Sequence, residues 1–141
     1  ARIDLCHTDS REAMFPKLDG VITSPPYVGL IDYHEQHTYA YNLLGLEDKR
    51  VCEIGAASNG SSQRAKQDYK NAIATVFQNI SESLVSGGRM IVIAGDRANL
   101  YPEIASLIGV EVEAIVERHV NRRTGRRSGE FYESVFVWRK P

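Results

Sequence analysis

The pattern of apolar and polar residues predicts an α/β fold in which a long helix leads into a buried strand. The longest helical pattern covers residues 67–84, and its apolar side chains recur at spacings of three and four: Tyr69, Ile73, Val76, Phe77, Ile80 and Leu84. Residues 85–89 contain adjacent glycines and predict a turn, and residues 90–94 form an apolar run typical of a buried parallel strand. This order predicts a βαβ crossover, which is right-handed by default.

Shorter patterns lie on both sides of this crossover. Strands are predicted over residues 2–6 and 18–22, and further helices over residues 34–44 and 101–108. Alternating apolar and polar positions predict a final antiparallel strand pair, over residues 110–120 and 131–139. The chain is therefore predicted to form a single domain over residues 1–141, with a mostly parallel sheet and a C-terminal antiparallel strand pair.

The composition is that of an ordinary globular protein and excludes several classes of function. The 141 residues are 43% hydrophobic and 25% charged, without an apolar run of membrane-spanning length or an opening signal peptide. Cys6 and Cys52 are too few for a disulfide framework, and His34 and His37 lie three residues apart without a third ligand, so no metal site is predicted. We expect a cytoplasmic protein with reduced thiols.

Residues 21–27, Val-Ile-Thr-Ser-Pro-Pro-Tyr, are the stretch around which the other elements are organised. Proline lacks the N–H that a strand ladder needs, and Ser24 and Pro25 each precede a proline and are held out of helical conformations. The strand must therefore end here in a stiff, extended backbone with unpaired carbonyl groups. In open α/β folds, ligands bind at the carboxyl edge of the sheet.

The residue types in this stretch suit a planar substrate that carries an exocyclic amino group. The Ser24 oxygen and the Pro25 carbonyl can accept the hydrogens of the amine, which draws its lone pair out of conjugation with the ring. Tyr27 can stack on the face of that ring. Ser24-Pro25-Pro26-Tyr27 resembles the catalytic motif of the amino-methyltransferases, which methylate N4 of cytosine or N6 of adenine in DNA.

This resemblance implies a partial Rossmann-like, S-adenosylmethionine-dependent methyltransferase fold. It also implies four catalytic residues, namely Ser24, Pro25, Pro26 and Tyr27. The serine form of the motif favours cytosine over adenine. The target base would be flipped out of the duplex, and its amine would attack the methyl group of S-adenosylmethionine in line, without a covalent enzyme intermediate. A role in restriction-modification is implied by association with the family.

Other residues are candidates for the same site. In the family, an acidic residue on a strand before the motif lies near the adenine of the cofactor, so Asp9 is a candidate cofactor contact. Capping of the following turn is its alternative role. Four residues recur at helical spacing and share one face, which could line a pocket for the base or pack in the core: Tyr33, His37, Tyr41 and Leu44.

The cofactor-binding half of the family's fold is not evident in the sequence. Residues 51–60 imitate the strand and glycine-rich turn that hold S-adenosylmethionine, but Gly55 and Gly60 are separated by larger residues. We interpret residues 51–60 as a surface loop without a cofactor role. The chain is therefore predicted to be the catalytic half of a methyltransferase domain, whose other half lies in a missing segment or in a second chain.

A cluster of arginines lies between the last two predicted strands of a chain whose net charge is only −1: Arg122, Arg123, Arg126 and Arg127. Contact with DNA phosphates explains this cluster better than folding does, and a solvated charged loop is the alternative. Three other interpretations of the whole chain stay open. They are a methyltransferase of the same fold that acts on RNA or protein, a non-catalytic DNA-binding or assembly subunit, and an α/β domain with a different small ligand.

Overall fold

The computed structural model describes residues 2–120 and 131–141. Within these ranges the strands are β1 (Leu18–Thr23), β2 (Leu84–Ala94), β3 (Glu111–Val120) and β4 (Phe131–Arg139). The helices are α1 (Tyr33–Gln36), α2 (Thr38–Leu44), α3 (Gln63–Ser83) and α4 (Tyr101–Leu107), with short 3₁₀ turns at Arg50–Cys52 and Ala57–Asn59. The α/β class is confirmed, and α3 is the crossover helix between β1 and β2.

The strands form one sheet with the order β1-β2-β4-β3. β1 and β2 run parallel, with Val21 opposite Met90, whereas β4 runs antiparallel to both β2 and β3. The predicted C-terminal antiparallel pair is therefore confirmed. In the described part of the chain, parallel pairing is limited to β1 and β2, so the antiparallel share of the sheet is larger than the sequence predicts.

One face of the sheet is covered by α3 and α4 and forms the hydrophobic core. The stripe predicted on α3 is confirmed, because four of its residues are buried: Tyr69, Ile73, Phe77 and Ile80. The ring of Phe77 meets Trp138 of β4 edge-on, with 5.5 Å between centroids, and Tyr101 of α4 stacks on Phe136 at 5.0 Å. Such aromatic pairs contribute beyond the area that they bury, and they hold α3 and α4 against the sheet.

The opposite face of the sheet is apolar, but its side chains are exposed or only half-buried. We call it the open sheet face, and its residues come from all four strands: Ile22, Ile91, Ile93, Ala114, Val116, Val135 and Val137. Ile22 is 75% exposed and Val116 is 57% exposed, whereas Trp138 on the covered face is fully buried. Contiguous apolar surface of this kind marks a site of interaction.

The strand predicted over residues 2–6 is wrong. These residues have no strand conformation, and Ile3 and Leu5 are 82% and 95% exposed. Within the described residues β1 pairs only with β2. Residues 2–6 therefore have no neighbouring strand to which their backbone groups could bond.

Two boundaries also differ from the prediction. Residues 85–89 lie within β2 instead of forming a separate turn, and the Gly87 N–H donates to the Lys140 carbonyl at 2.9 Å. The strand is irregular there, because its pairing with β1 passes from Leu84 to Arg89 and Gly87 has a left-handed φ of +74°. The helix predicted over residues 34–44 is interrupted at His37, after which α2 begins at Thr38. The predicted helix end at Gly45 is confirmed, with a φ of +61°.

Candidate active site

The Ser-Pro-Pro-Tyr motif follows directly on the last residue of β1. Thr23 is the final residue of β1 to pair with β2, opposite Val92, and the motif continues beyond the carboxyl edge of the parallel pair. Pro25 is buried, whereas Ser24 is exposed. Within residues 2–120 and 131–141, no group hydrogen-bonds to the Ser24 hydroxyl or to the Pro25 carbonyl. Neither oxygen is therefore engaged by the described residues.

The next carbonyl is held by a pair of buried tyrosines. The Tyr69 hydroxyl of α3 donates to the Pro26 carbonyl at 2.7 Å and lies 2.8 Å from the Tyr101 hydroxyl of α4. Because Tyr69 has one hydroxyl hydrogen, Tyr101 must donate to Tyr69. Burial raises the pKa of Tyr69 to about 12, so this hydroxyl stays protonated at neutral pH. The stacking of α3 and α4 on the sheet therefore fixes the backbone of the motif.

The helical pattern predicts only a core position for Tyr69 and not this second role. A tyrosine on an apolar helical stripe gives no sign of where its hydroxyl will bond. Asp96, at the end of β2, completes the support by accepting hydrogen bonds from the backbone N–H groups of Leu100 and Tyr101 at 2.7 and 3.0 Å. These bonds fix the start of α4 and hence the position of the Tyr101 ring.

Tyr27 is linked to the C-terminal strand pair. Its hydroxyl donates to Glu133 Oε1 at 2.5 Å, and the other carboxylate oxygen of Glu133 accepts from Arg118. Burial and the Glu133 carboxylate both raise the pKa of Tyr27. The phenol therefore stays neutral, and its ring is tethered at one end at the carboxyl edge of the sheet.

A cleft of about 980 Å³ lies beside the motif. Pro26 and Asp9 contribute to its wall, together with three of the four residues predicted to share a helical face: Tyr33, His37 and Tyr41. Leu44 is 66% exposed and outside the cleft, so neither predicted role holds for it. The ring of His34 lies 4.0 Å from that of Tyr41, and its Nε2 lies 3.2 Å from Asp48. His34 thus supports this wall of the cleft.

Asp9 forms a turn at the edge of the cleft. Its Oδ1 accepts from both the backbone N–H and Nε of Arg11 at 2.9 Å, and its carbonyl accepts from the Glu12 N–H at 3.0 Å. The Arg11 guanidinium holds the pKa of Asp9 at about 2. The turn-capping role is therefore present, and the cofactor contact stays a prediction.

The segment over residues 51–60 is closely packed against the loop that follows the motif. Gly29 N–H donates to the Gly55 carbonyl at 2.9 Å, and Ala57 N–H donates to the Ile31 carbonyl at 3.1 Å. Ala56 is only 2% exposed, so the prediction of a surface loop is wrong at this residue. The Glu53 carboxylate also accepts from Tyr33 N–H at 2.7 Å.

This packing explains Gly55, one of the two glycines that imitate a cofactor loop, and Gly29 in the loop after the motif. Gly55 has a φ of +73°, and a Cβ there would lie 2.7 Å from the Tyr69 ring. Gly29 has a φ of +62°, and a Cβ would lie 2.6 Å from the Gly60 carbonyl oxygen. The glycines thus permit close approach between two segments of this chain.

The predicted DNA contacts Arg122, Arg123, Arg126 and Arg127 lie outside the described residues. The strands on either side of them are described, and Ala94 at the end of β2 is opposite Ser134 of β4. Val120 and Phe131, which pair with each other, therefore lie beyond the carboxyl edge of β2. Val120, before the arginine-bearing segment, and Phe131, after it, therefore lie at the same edge of the sheet as the motif.

Two kinds of feature are absent from residues 2–120 and 131–141. No cluster of three His, Cys, Asp or Glu side chains there could hold a metal ion. No helix in that part of the chain has the length and hydropathy needed to cross a lipid bilayer.

Comparison with known proteins supports the resemblance in both sequence and fold. No protein-family model matches the chain. Over 120 residues, or 85% of its length, the chain is 40% identical to the Type II methyltransferase M.MjaII of Methanocaldococcus jannaschii, of which it covers 23%.

Two solved structures from Thermus thermophilus, of a protein provisionally assigned as a DNA modification methylase, share the fold. Their TM-scores are 0.57 and 0.58, both at 19% identity, and they cover 95% and 94% of this chain. This chain covers only 52% and 53% of the two solved chains, the second of which is complexed with S-adenosyl-L-methionine. The chain is thus related in sequence to a Type II methyltransferase, and its fold corresponds to about half of the two Thermus thermophilus chains.

Proposed function

We propose that this chain is the catalytic half of a DNA methyltransferase that transfers a methyl group from S-adenosylmethionine to the exocyclic amine of a flipped base. One observation carries the proposal. The Ser-Pro-Pro-Tyr motif lies at the carboxyl edge of a parallel strand pair and beside a large cleft, in a chain 40% identical to a Type II methyltransferase over 120 residues. In this proposal N4 of cytosine is favoured over N6 of adenine, because the motif begins with serine.

The chain's own residues hold the amine and the ring of the base. The Ser24 hydroxyl and the Pro25 carbonyl accept the amine hydrogens, which localises the lone pair on nitrogen for attack. The bond between Tyr69 and the Pro26 carbonyl keeps the adjacent peptide rigid, so the acceptors are held in place before the base arrives. Tyr27 stacks on the base, and the wall formed by Tyr33 and His37 bounds the cleft.

The described residues provide only part of a cofactor site. Asp9 and Pro26 line the cleft, but the glycines at positions 29 and 55 are engaged in packing between two loops of this chain. S-adenosylmethionine supplies an electrophilic methyl group when it is bound. We assign its remaining contacts to a completing segment, carried either by a longer form of this protein or by a second chain.

The open sheet face and the free edge of β1 are the surfaces that this completing segment would cover. β1 lies at the edge of the described sheet, and Ile22 on it is 75% exposed. Contiguous apolar surface marks a site of interaction, and this chain accounts for only about half of the solved structures that share its fold. We propose that the completing segment adds strands beside β1 and helices over the open sheet face.

The proposed contact with DNA involves the segment between β3 and β4. Arg122, Arg123, Arg126 and Arg127 would bind phosphates on either side of the flipped base, since the ends of both strands lie on the same side of the sheet as the motif. Phosphate contacts of this kind position a duplex without reading its sequence. The base specificity would then come from the cleft and from the completing segment.

Methyl transfer by the complete protein, in which this chain is combined with the completing segment, tests the proposal. Transfer of a labelled methyl group from S-adenosylmethionine to duplex DNA, followed by nucleoside analysis, should yield N4-methylcytosine. Ser24→Ala should lower kcat on the order of 100-fold, because it removes one acceptor of the reacting amine. Ser106→Ala, at an exposed position of α4, is the matched control. Methylation of RNA alone, or an unchanged rate in Ser24→Ala, would refute the proposed function.

A further inference from the structure

One carboxylate joins the tyrosine of the motif to the strand pair that carries the arginines. Glu133 accepts from the Tyr27 hydroxyl at 2.5 Å through Oε1 and from Arg118 through Oε2. Tyr27 and Glu133 are 106 positions apart in the sequence, so the contact depends on the complete fold of the sheet. The Glu133 side chain is only 13% exposed, whereas that of Arg118 is 62% exposed.

The position of Glu133 follows from the strand register. Glu133 and Arg118 are directly opposite each other on the antiparallel pair of β4 and β3, one residue beyond the Glu117–Ser134 pair. Ser134 in turn is opposite Ala94 at the carboxyl end of β2. Glu133 therefore stands at the edge of the sheet beyond which the motif lies, within reach of Tyr27.

Both carboxylate oxygens of Glu133 have a hydrogen-bond partner. A mostly buried carboxylate such as Glu133 is costly unless hydrogen bonds satisfy it. The Tyr27 hydroxyl satisfies one carboxylate oxygen of Glu133, and the Arg118 guanidinium satisfies the other. The result is a tyrosine ring whose far end is fixed.

We propose that Glu133 is a positioning residue that sets the orientation of the Tyr27 ring, and that Arg118 holds the Glu133 carboxylate in place. The inference rests on the proposed function in one respect, which is that Tyr27 stacks on the flipped base. A ring fixed at its hydroxyl presents one face to the base before binding, so less freedom is lost when the base enters. Loss of Glu133 would therefore affect the turnover step more than the initial binding of DNA.

The contact itself can be tested on this chain without DNA or cofactor. In protein labelled with ¹³C at the ζ carbon of tyrosine, the Tyr27 resonance is assigned by its loss in Tyr27→Phe. Glu133→Ala should shift that resonance and lower the pH at which Tyr27 ionises. Glu117→Gln, at an exposed neighbouring position of β3, should leave both unchanged. An unchanged Tyr27 resonance in a folded Glu133→Ala variant would overturn the proposal.

The functional consequence is measured with the complete protein. Glu133→Ala and Tyr27→Phe should each lower kcat about 10-fold with little change in KM for DNA, and Glu133→Gln should retain more activity because its amide oxygen still accepts from the phenol. The double variant should lose no more than either single variant. Additive losses, or an unchanged kcat in Glu133→Ala, would contradict the positioning role. A wild-type protein without methyl transfer would refute the proposed function, and the resonance measurement would still decide the contact.

Discussion

The two faces of the sheet differ in how completely they are packed. On the covered face, Phe77, Tyr101 and Trp138 meet in close ring contacts and are buried. On the open sheet face, Ile22 is 75% exposed and Val116 is 57% exposed. The covered face is packed over β2 and β4, although Ile115 of β3 on the same face is 50% exposed. The other face has apolar residues without a described element that buries them.

The candidate active site lies at the boundary of these two regions and reflects the difference. Tyr69 and Tyr101, on the helices of the covered face, bond to the motif and to each other. In the described sheet, β1 has a free edge beside the open sheet face. On that side of the site, the described residues supply no loop that holds a cofactor. In the proposed function, the parts of the site that hold the base are assembled in this chain, and the completing segment contributes the parts that hold the cofactor.

The largest predicted effect distinguishes the two faces directly. Phe77→Ala should lower the free energy of unfolding of this chain by about 3–5 kcal/mol, because it removes a buried ring and leaves a cavity beside Trp138. Ile22→Ala should cost less than about 1 kcal/mol, since its side chain is already exposed to water. Denaturant unfolding of both variants measures the difference. Equal losses would show that the two faces are buried alike.

The next prediction compares two glycines of similar backbone conformation. Gly55 and Gly45 have φ values of +73° and +61°, but a Cβ at residue 55 would meet the Tyr69 ring and one at residue 45 would meet nothing within 4 Å. Gly45→Ala should cost about 1 kcal/mol for the backbone alone, and Gly55→Ala about 2–4 kcal/mol because of the added clash. Thermal unfolding of both variants tests whether residues 51–60 pack against Tyr69 of α3. A smaller loss in Gly55→Ala than in Gly45→Ala would contradict that packing.

A smaller effect is expected when the hydrogen bond between core and motif is removed. Tyr69→Phe leaves the Pro26 carbonyl and the Tyr101 hydroxyl without their partner and should cost about 1–3 kcal/mol. Tyr39→Phe, at a position that is 71% exposed, is the control and should be neutral. Urea unfolding gives both values. A neutral Tyr69→Phe variant would mean that the motif is not held from the covered face.

The smallest effect concerns Asp9, which lies apart from both faces. Arg11 lowers the pKa of Asp9 from 3.8 to about 2. Because the folded-state pKa is depressed, this contribution to stability is present above pH 3.8 and is lost as the pH falls through about 2. Asp9→Asn and Arg11→Ala should therefore both flatten the stability profile in this window, as followed by thermal unfolding at several pH values. An unchanged profile in either variant would contradict the pairing.

The sequence predicts the covered face well and the contacts between distant segments poorly. The α3 stripe is periodic, and the prolines of the motif end β1 by their own chemistry, so both are visible in local sequence. The prediction failed at residues 2–6, whose strand-like composition could not show that a neighbouring strand was lacking. It also missed the contacts of Tyr69 and Glu133, because which hydroxyl meets which carbonyl or carboxylate depends on the register of the sheet.

A calorimetric titration with S-adenosylmethionine tests the central claim most directly. The account predicts no saturable binding to this chain alone and saturable binding to the complete protein. The reason is that the completing segment, which we propose covers the open sheet face and the free edge of β1, supplies the remaining cofactor contacts. Saturable binding to this chain alone would contradict that claim and would return the cofactor role to the residues described here.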